Sequence, residues 1–170
     1  MLRAVGVLLL AGSGLTMGLG AVERMARTRR DLTDLAAAIS QAEGELALSF
    51  PSTPVLLEVL AGQAGGRAGA FFTLCSARLN QLGERDFDAI WSAALAASEL
   101  SLSGEVLRQM ETLGRALERY DADQLLRCCR QTRKSVEAEA DRLGEQLRSQ
   151  GKVYGTLGLT MGIFCAILLL

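Results

Sequence analysis

The sequence predicts an all-α protein, an antiparallel bundle of about six helices with a transmembrane helix at each end of the chain. Three observations predict this fold class. Both ends, at 4–22 and 153–170, are apolar and uncharged. Between them the apolar residues recur at the three- and four-residue steps of an amphipathic helix. The usual signals of strands, which are alternating β-branched runs and Asn-Gly or Asp-Gly hairpin turns, are missing from the sequence.

The two apolar ends have the length of membrane spans, because a hydrocarbon core about 30 Å thick takes roughly 20 helical residues. Lys and Arg that flank a span stay on the cytoplasmic side. Here they flank the inner side of both segments: Arg24, Arg27, Arg29 and Arg30 follow the first, and Arg142, Arg148 and Lys152 precede the second. We therefore expect transmembrane helices at 1–22 and 153–170, a cytoplasmic domain at 23–152, and both termini outside.

Each apolar end also has features of another kind of segment. Residues 1–22 resemble a secretory signal with Arg3 in its basic region, but the four arginines that follow oppose translocation of the rest. The last segment has the length of a buried core helix, but Ile163–Leu170 is apolar on every face. Membrane insertion is favoured for both segments.

Each predicted span carries two glycines at a spacing of four residues. They are Gly14 with Gly18, and Gly158 with Gly162. Small residues at this spacing let two helices approach closely in lipid. These four glycines are the candidate helix contacts within the membrane.

The first two helices of the middle are separated by prolines. An apolar stripe predicts that the first span continues as a helix up to Pro51 and Pro54, which cannot continue it. A second helix is expected to begin with Thr53 as its N-cap and Pro54 at its first position. The stripe consists of Leu32, Leu35, Ile39, Ala42, Leu46 and Phe50.

Four more helices follow a glycine-rich connection. The third is predicted over 70–82, ending near Gly83, and the fourth after Asp86 as N-cap, with Trp91 as a core anchor. Ser103 is expected to cap the fifth, which buries Val106, Leu107, Met110, Leu113 and Leu117. Asp121 with Gln124 forms a near capping box for the sixth, which runs on into the second apolar end.

The composition of the middle argues against several classes of function. It holds 17 of the 18 basic residues, all but Arg3, against all 19 acidic residues, so its net charge of −2 argues against nucleic acid as a partner. The chain has no histidine, its four cysteines lack Cys-x-x-Cys spacing, and no phosphate-binding glycine loop occurs. We therefore predict no catalytic residues, no metal site and no cofactor, and structural thiols in a reducing cytoplasm.

The order of several short motifs, together with the apolar ends, resembles the stage III sporulation protein AB family over nearly the whole chain. The motifs are Pro54–Leu60, Phe87-Asp88-Ala89-Ile90-Trp91, Leu113-Gly114 followed by Asp121 and Gln124, and Val153-Tyr154 through Leu157-Gly158-Leu159 to the aliphatic end. The resemblance implies a subunit of the complex that connects the mother cell to the forespore, in the mother-cell membrane around the forespore.

The resemblance also implies partners. The cytoplasmic domain would be similar to the helical F domain of type II secretion and type IV pilus platform proteins. It would couple a stage III sporulation ATPase, protein AA, to the other channel subunits. Such platform proteins generally carry two F domains and a further span, whereas this chain has one domain, which favours an oligomer.

A partner surface is expected at the helix junctions, where charged residues are accessible. The candidates are Glu84, Arg85, Asp121, Asp123 and Arg127. The alternative function is a membrane-anchored enzyme or regulator whose bundle binds a lipid or another apolar ligand between its helices. That alternative requires an apolar cavity with convergent polar groups.

Overall fold

The computed structural model of the chain contains six α-helices and one 3-10 turn, and no strand, in the residues that it describes. These are residues 2–81, 86–119 and 121–169 for the backbone, and 20, 22–80, 86–118 and 121–149 for the side chains. The helices are α1 (Leu2–Leu48), α2 (Thr53–Gln63), α3 (Gly66–Arg78), α4 (Phe87–Ala97), α5 (Gly104–Arg119) and α6 (Ala122–Leu169). The 3-10 turn, Leu79–Gln81, follows α3 directly. The predicted all-α class and the six helices are confirmed.

The chain divides into two compact units. The first, which we call the bundle unit, is Thr28–Ala140, and the second is Met1–Arg27 with Asp141–Leu170. Among the described side chains, every buried hydrophobic one, from Leu32 to Ala140, belongs to the bundle unit. The predicted domain boundaries at 22 and 152 stay predictions.

Within the part of the chain that the structure describes, no helix has both the length and the apolar character needed to cross a membrane. The spans predicted at 1–22 and 153–170 lie, apart from residues 20 and 22, outside the residues with described side chains. The same holds for the glycine pairs Gly14–Gly18 and Gly158–Gly162.

The stripe on α1 is buried as predicted, except at its last residue. Leu32, Leu35, Ile39, Ala42 and Leu46 are each at most 5% exposed, whereas 46% of Phe50 is exposed. Phe50 lies beyond the end of α1 and has a φ of 43°, in the left-handed region. The residue before a proline is kept out of the right-handed helical region. Pro51 therefore ends the buried stripe at Leu46, one stripe position before the Phe50 that the periodicity predicts.

The helix starts differ from the predictions at α2 and α3. Ser52 is the N-cap of α2, and Thr53 is its first residue. The prediction that α3 begins near Ala70 was wrong, because it begins at Gly66, where a φ of 58° suits glycine. At Gly69 a Cβ atom would lie 2.2 Å from the carbonyl oxygen of Ala64. The glycines thus permit a close turn between α2 and α3, and the connection between these helices is shorter than predicted.

The core of the bundle unit is built around Trp91, as the sequence predicted. Its ring centroid lies 4.8 Å from that of Phe71, 6.4 Å from that of Phe72 and 5.9 Å from that of Phe87. The indole Nε1 donates a hydrogen bond of 2.8 Å to the carbonyl oxygen of Met110, so that α4 is joined to α5. Trp91 is therefore a structural anchor with its one polar atom satisfied.

The caps of the last two helices follow the sequence prediction. The amide of Val106 donates to the Ser103 hydroxyl at 3.5 Å, and the amide of Gln124 donates to the Asp121 carboxylate at 2.9 Å. On α5 the predicted burial of Leu107 was wrong, because 38% of this side chain is exposed. Leu107 lies to the side of the buried positions Val106 and Met110, where it faces a surface groove.

Candidate partner-binding surface

The structure describes the side chains of three of the five residues predicted to contact a partner. Glu84 and Arg85 lie outside the described residues. Asp121 is exposed, and its carboxylate is engaged in capping α6. Asp123 and Arg127 are exposed in the first two turns of the same helix. The start of α6 therefore presents three charged side chains to solvent.

A hydrogen bond brings the α1–α2 corner to the same end of the bundle unit as these charges. The Thr53 hydroxyl, in the first turn of α2, donates to the carbonyl oxygen of Leu117, in the last turn of α5, at 3.1 Å. Asp121 follows Leu117 by only four residues. The corner between α1 and α2 and the corner between α5 and α6 therefore share one end of the unit.

The shared end exposes large apolar side chains. Leu48 is 87% exposed, Phe50 46% and Val55 49%. We call these three residues, together with Asp121 and Asp123, the tip surface. Single exposed apolar residues are common on proteins, but a group beside charges is typical of an interaction site.

Sequence reasoning missed the apolar part of the tip surface. The periodicity assigned Phe50 to the core, since it continues the α1 stripe. The signal that could have corrected this was Pro51, which prevents Phe50 from lying on the same helical face. Leu48 and Val55 do not belong to the apolar stripes of their own helices. Their grouping into one exposed surface follows from the turn of the chain between α1 and α2.

Ion pairs fix neighbouring helices within the bundle unit. On α6, Arg133 Nε donates to Glu43 of α1 at 2.9 Å, and its Nη1 donates to Glu137 at 2.7 Å. These two carboxylates raise the pKa of Arg133, with the hydrogen bond to Glu43 as the largest cause. At the start of α3, Arg67 donates to Asp31 of α1 and to the carbonyl oxygen of Glu99, both at 3.2 Å. The long outer helices are thus joined to each other and to the shorter ones.

The cysteines of the bundle unit are free thiols in apolar surroundings. Burial raises the pKa of Cys75 from 9.0 to about 12, although Arg78 opposes the shift. Burial, followed by the nearby Cys128 and Glu43, raises the pKa of Cys129 to about 12. A thiol must ionise to act as a nucleophile. Cys75 and Cys129 are therefore suited to packing and not to covalent chemistry.

One gap in the core, among the described residues, is too small for a ligand. An apolar gap lined by Ile39, Leu57, Phe72, Trp91 and Leu113 has a volume of about 10 Å³. A site for a drug-sized molecule needs roughly 300 to 1,000 Å³. Among the described residues, no group of three or more His, Cys, Asp or Glu is arranged to hold a metal ion. The alternative of a lipid-binding bundle gains no support from this gap.

The fold and its surfaces define a class of protein: an all-α helical bundle with exposed apolar and charged groups at one end of its core unit. Comparison with known families is more specific. The family model of stage III sporulation protein AB matches residues 3–170, and the chain belongs to this family.

A solved structure of stage III sporulation protein AB has the same fold. It superimposes with a TM-score of 0.60 at 18% sequence identity, over 69% of this chain and 94% of that one. A search of curated proteins found no match. Both comparisons therefore place the chain among the proteins of sporulation.

Proposed function

We propose that this protein is a non-enzymatic platform subunit of the complex that connects the mother cell to the forespore, and that it couples a cytoplasmic ATPase to the membrane components of the channel. The observation that carries the proposal is the tip surface, where Leu48, Phe50 and Val55 are exposed at the same end of the bundle unit as two exposed carboxylates. Membership of the stage III sporulation protein AB family supports the setting.

The tip surface suits a protein partner because it combines the two contributions that interfaces use. Exposed apolar side chains, an aromatic one among them, supply buried area, and charges around them give orientation and faster association. The ATPase, protein AA, is the partner that we propose for it. The other channel subunits would be held by the membrane segments.

A binding experiment tests the ATPase contact. Full-length protein carrying Phe50→Ser with Asp123→Lys should co-purify with protein AA about tenfold less than the unchanged chain, since a central aromatic and a rim charge are both lost. Glu105→Lys is the matched control, because it reverses an exposed charge at the start of α5, away from the tip surface. Equal recovery of all three chains would refute this contact.

The two-pass topology is part of the proposal, with residues 1–22 and 153–170 in the mother-cell membrane around the forespore. The flanking arginines and lysine support it, because they favour a cytoplasmic middle. Alkaline phosphatase fused after Leu170 should be active, and the same enzyme fused after Asp121 inactive. Activity of the second fusion would show that the middle is translocated. The mass of the purified protein would show whether residues 1–22 are retained.

A further inference from the structure

A second surface of the bundle unit is a groove between α4 and α5. It has a volume of about 310 Å³ and is open to solvent. Its apolar wall comes from Leu95 of α4, Leu100 and Leu102 of the connecting loop, and Leu107 of α5. Leu107 is the side chain that the periodicity placed in the core and the structure exposes. An apolar wall of this kind suits a helix that lies against it.

Two carboxylates, those of Glu99 and Glu111, lie along the groove. Neither carboxylate has a cationic partner among the described residues. Glu99 follows α4 with a φ of 54°, and its carbonyl oxygen is held by Arg67. A non-glycine residue in this left-handed conformation is costly unless its surroundings hold it. The loop therefore keeps Glu99 at the groove.

The complementary charge occurs on another helix of the same unit. Arg127, Arg130 and Lys134 are exposed on α6 at steps of three and four residues, on the side opposite Cys129 and Val136. We call these three residues the basic stripe. None of them makes an ion pair within the described residues. A helix that presents three cations in a row fits a groove that presents two anions.

The groove and the basic stripe lie on different sides of α5. The Thr132 hydroxyl, on the core side of α6, donates to the carbonyl oxygen of Gln109 at 3.4 Å, which places α6 beside one side of α5. Leu107 and Glu111 point to the other side, toward α4. One copy of the chain cannot seat its own stripe in its own groove across α5, whereas two copies can.

From this arrangement we infer that the protein associates with itself head to tail, with the basic stripe on α6 of one copy seated in the α4–α5 groove of the next. The contact is heterologous, since the two sides are different surfaces. Repetition of one such contact generates a closed ring if the rotation closes, and an open chain otherwise. This inference goes beyond the proposed function and does not depend on the ATPase.

Site-directed crosslinking in membranes tests which surfaces meet. Full-length Ala96→Cys, with its new thiol in the groove, and full-length Gln131→Cys, beside the basic stripe, are produced together with different tags. Oxidation should give a disulfide-linked dimer that carries both tags. Two Ala96→Cys copies should give far less of it, because like surfaces do not meet. The unchanged chain is the control for the native cysteines.

Charge reversal makes the test specific to the two surfaces. Glu99→Lys with Glu111→Lys on both partners should lower the crosslinking yield about tenfold, and so should Arg127→Glu with Lys134→Glu, since each makes groove and stripe alike in charge. Mixing one copy of each double variant should restore the yield, because every contact is again between opposite charges. Glu58→Lys, an exposed reversal on α2, should change nothing.

The outcomes separate this inference from the alternatives. No mixed disulfide in the unchanged background, or reversal variants that crosslink as well as the parent, would overturn it. Loss of crosslinking with no recovery in the mixture would also overturn it, because it would assign the groove to another occupant. Unaltered helical circular dichroism of each variant shows that the bundle still folds. The variants are to be produced in a host that lacks protein AA, so that none of these results bears on the tip surface.

Discussion

Gly114 is held close to the indole of Trp91, and this contact leaves no room for a side chain. A Cβ atom at this position would lie 2.5 Å from Cδ1 of Trp91 and 2.7 Å from Cγ. The indole cannot retreat easily, because Phe71 packs against its ring and Met110 holds its nitrogen. Glycine is therefore required at position 114 because of packing against Trp91, and not because of backbone flexibility.

Gly114→Ala should lower the free energy of unfolding by about 1–3 kcal/mol, the usual cost of overpacking a core. Gly44→Ala is the control, because it lies exposed in α1 with nothing within 4 Å of the added atom. It should raise the free energy of unfolding by about 0.5–1 kcal/mol through better helix propensity. Urea unfolding of the full chain in mild detergent measures both, and equal effects would contradict the contact.

The buried thiols predict how stability depends on pH. Folding raises the pKa of Cys75 and of Cys129 from 9.0 to about 12. Between these values the folded protein holds protons that the unfolded chain has lost, so the free energy of unfolding falls as pH rises from about 9 toward 12. The slope is up to about 1.4 kcal/mol per pH unit for each thiol.

Cys75→Ala isolates this contribution. The variant is less stable at every pH because it leaves a small cavity, but its stability should fall less steeply above pH 9, by about 1.4 kcal/mol per pH unit. All other side chains are common to both proteins and cancel in the comparison. Melting at several pH values supplies the two slopes, and parallel slopes would show that Cys75 ionises freely in the folded state.

At the scale of elements, a partly buried ion pair joins the two long helices. The side chains of Arg133 on α6 and Glu43 on α1 are 25% and 16% exposed. A double-mutant cycle with Arg133→Ala and Glu43→Ala should give a larger coupling energy than an exposed ion pair, since partial burial reduces screening. The pair Arg27 and Glu23, with 60% and 65% exposure on one helix, is the control and should give at most about 0.5 kcal/mol.

The helix ends show which local rules decided the elements. Asp121 and Ser103 cap their helices through the hydrogen bonds that their residue types predict. The start of α3 was misplaced because glycines between two helices usually indicate a loop. Here Gly66 and Gly69 allow the chain to turn tightly against Ala64. Helix propensities of single residues do not take such a contact into account.

At the scale of the whole molecule, α1 and α6 each contain residues of both compact units. If the protein transmits force from the bundle unit to the segment at 153–170, a flexible Gly-Ser insertion of about seven residues after Gly151 should abolish the formation of heat-resistant spores. A seven-residue insertion of helix formers, about two turns, keeps the register of the helix. It should preserve function better, and a harmless flexible insertion would contradict force transmission.

The candidate sites were less predictable than the fold. Asp123 and Arg127 could be proposed from their place at a helix junction, and both are exposed. The apolar half of the tip surface could not, because the hydrogen bond of Thr53 to Leu117 of α5 is what places Phe50 and Val55 at the same end of the bundle unit as the start of α6. The α4–α5 groove could not be predicted either, because it depends on how α4, α5 and their connecting loop pack beside Leu107.

The sequence by itself determined the all-α class, the six helices and most of the residues that face the core. These follow from apolar periodicity, caps and prolines, which are properties of short stretches of chain. Only the tertiary structure decided which apolar side chains remain exposed, which charged side chains form ion pairs and where glycine is obligatory. Those properties depend on what a distant segment brings to within a few ångströms, and no local pattern contains that information.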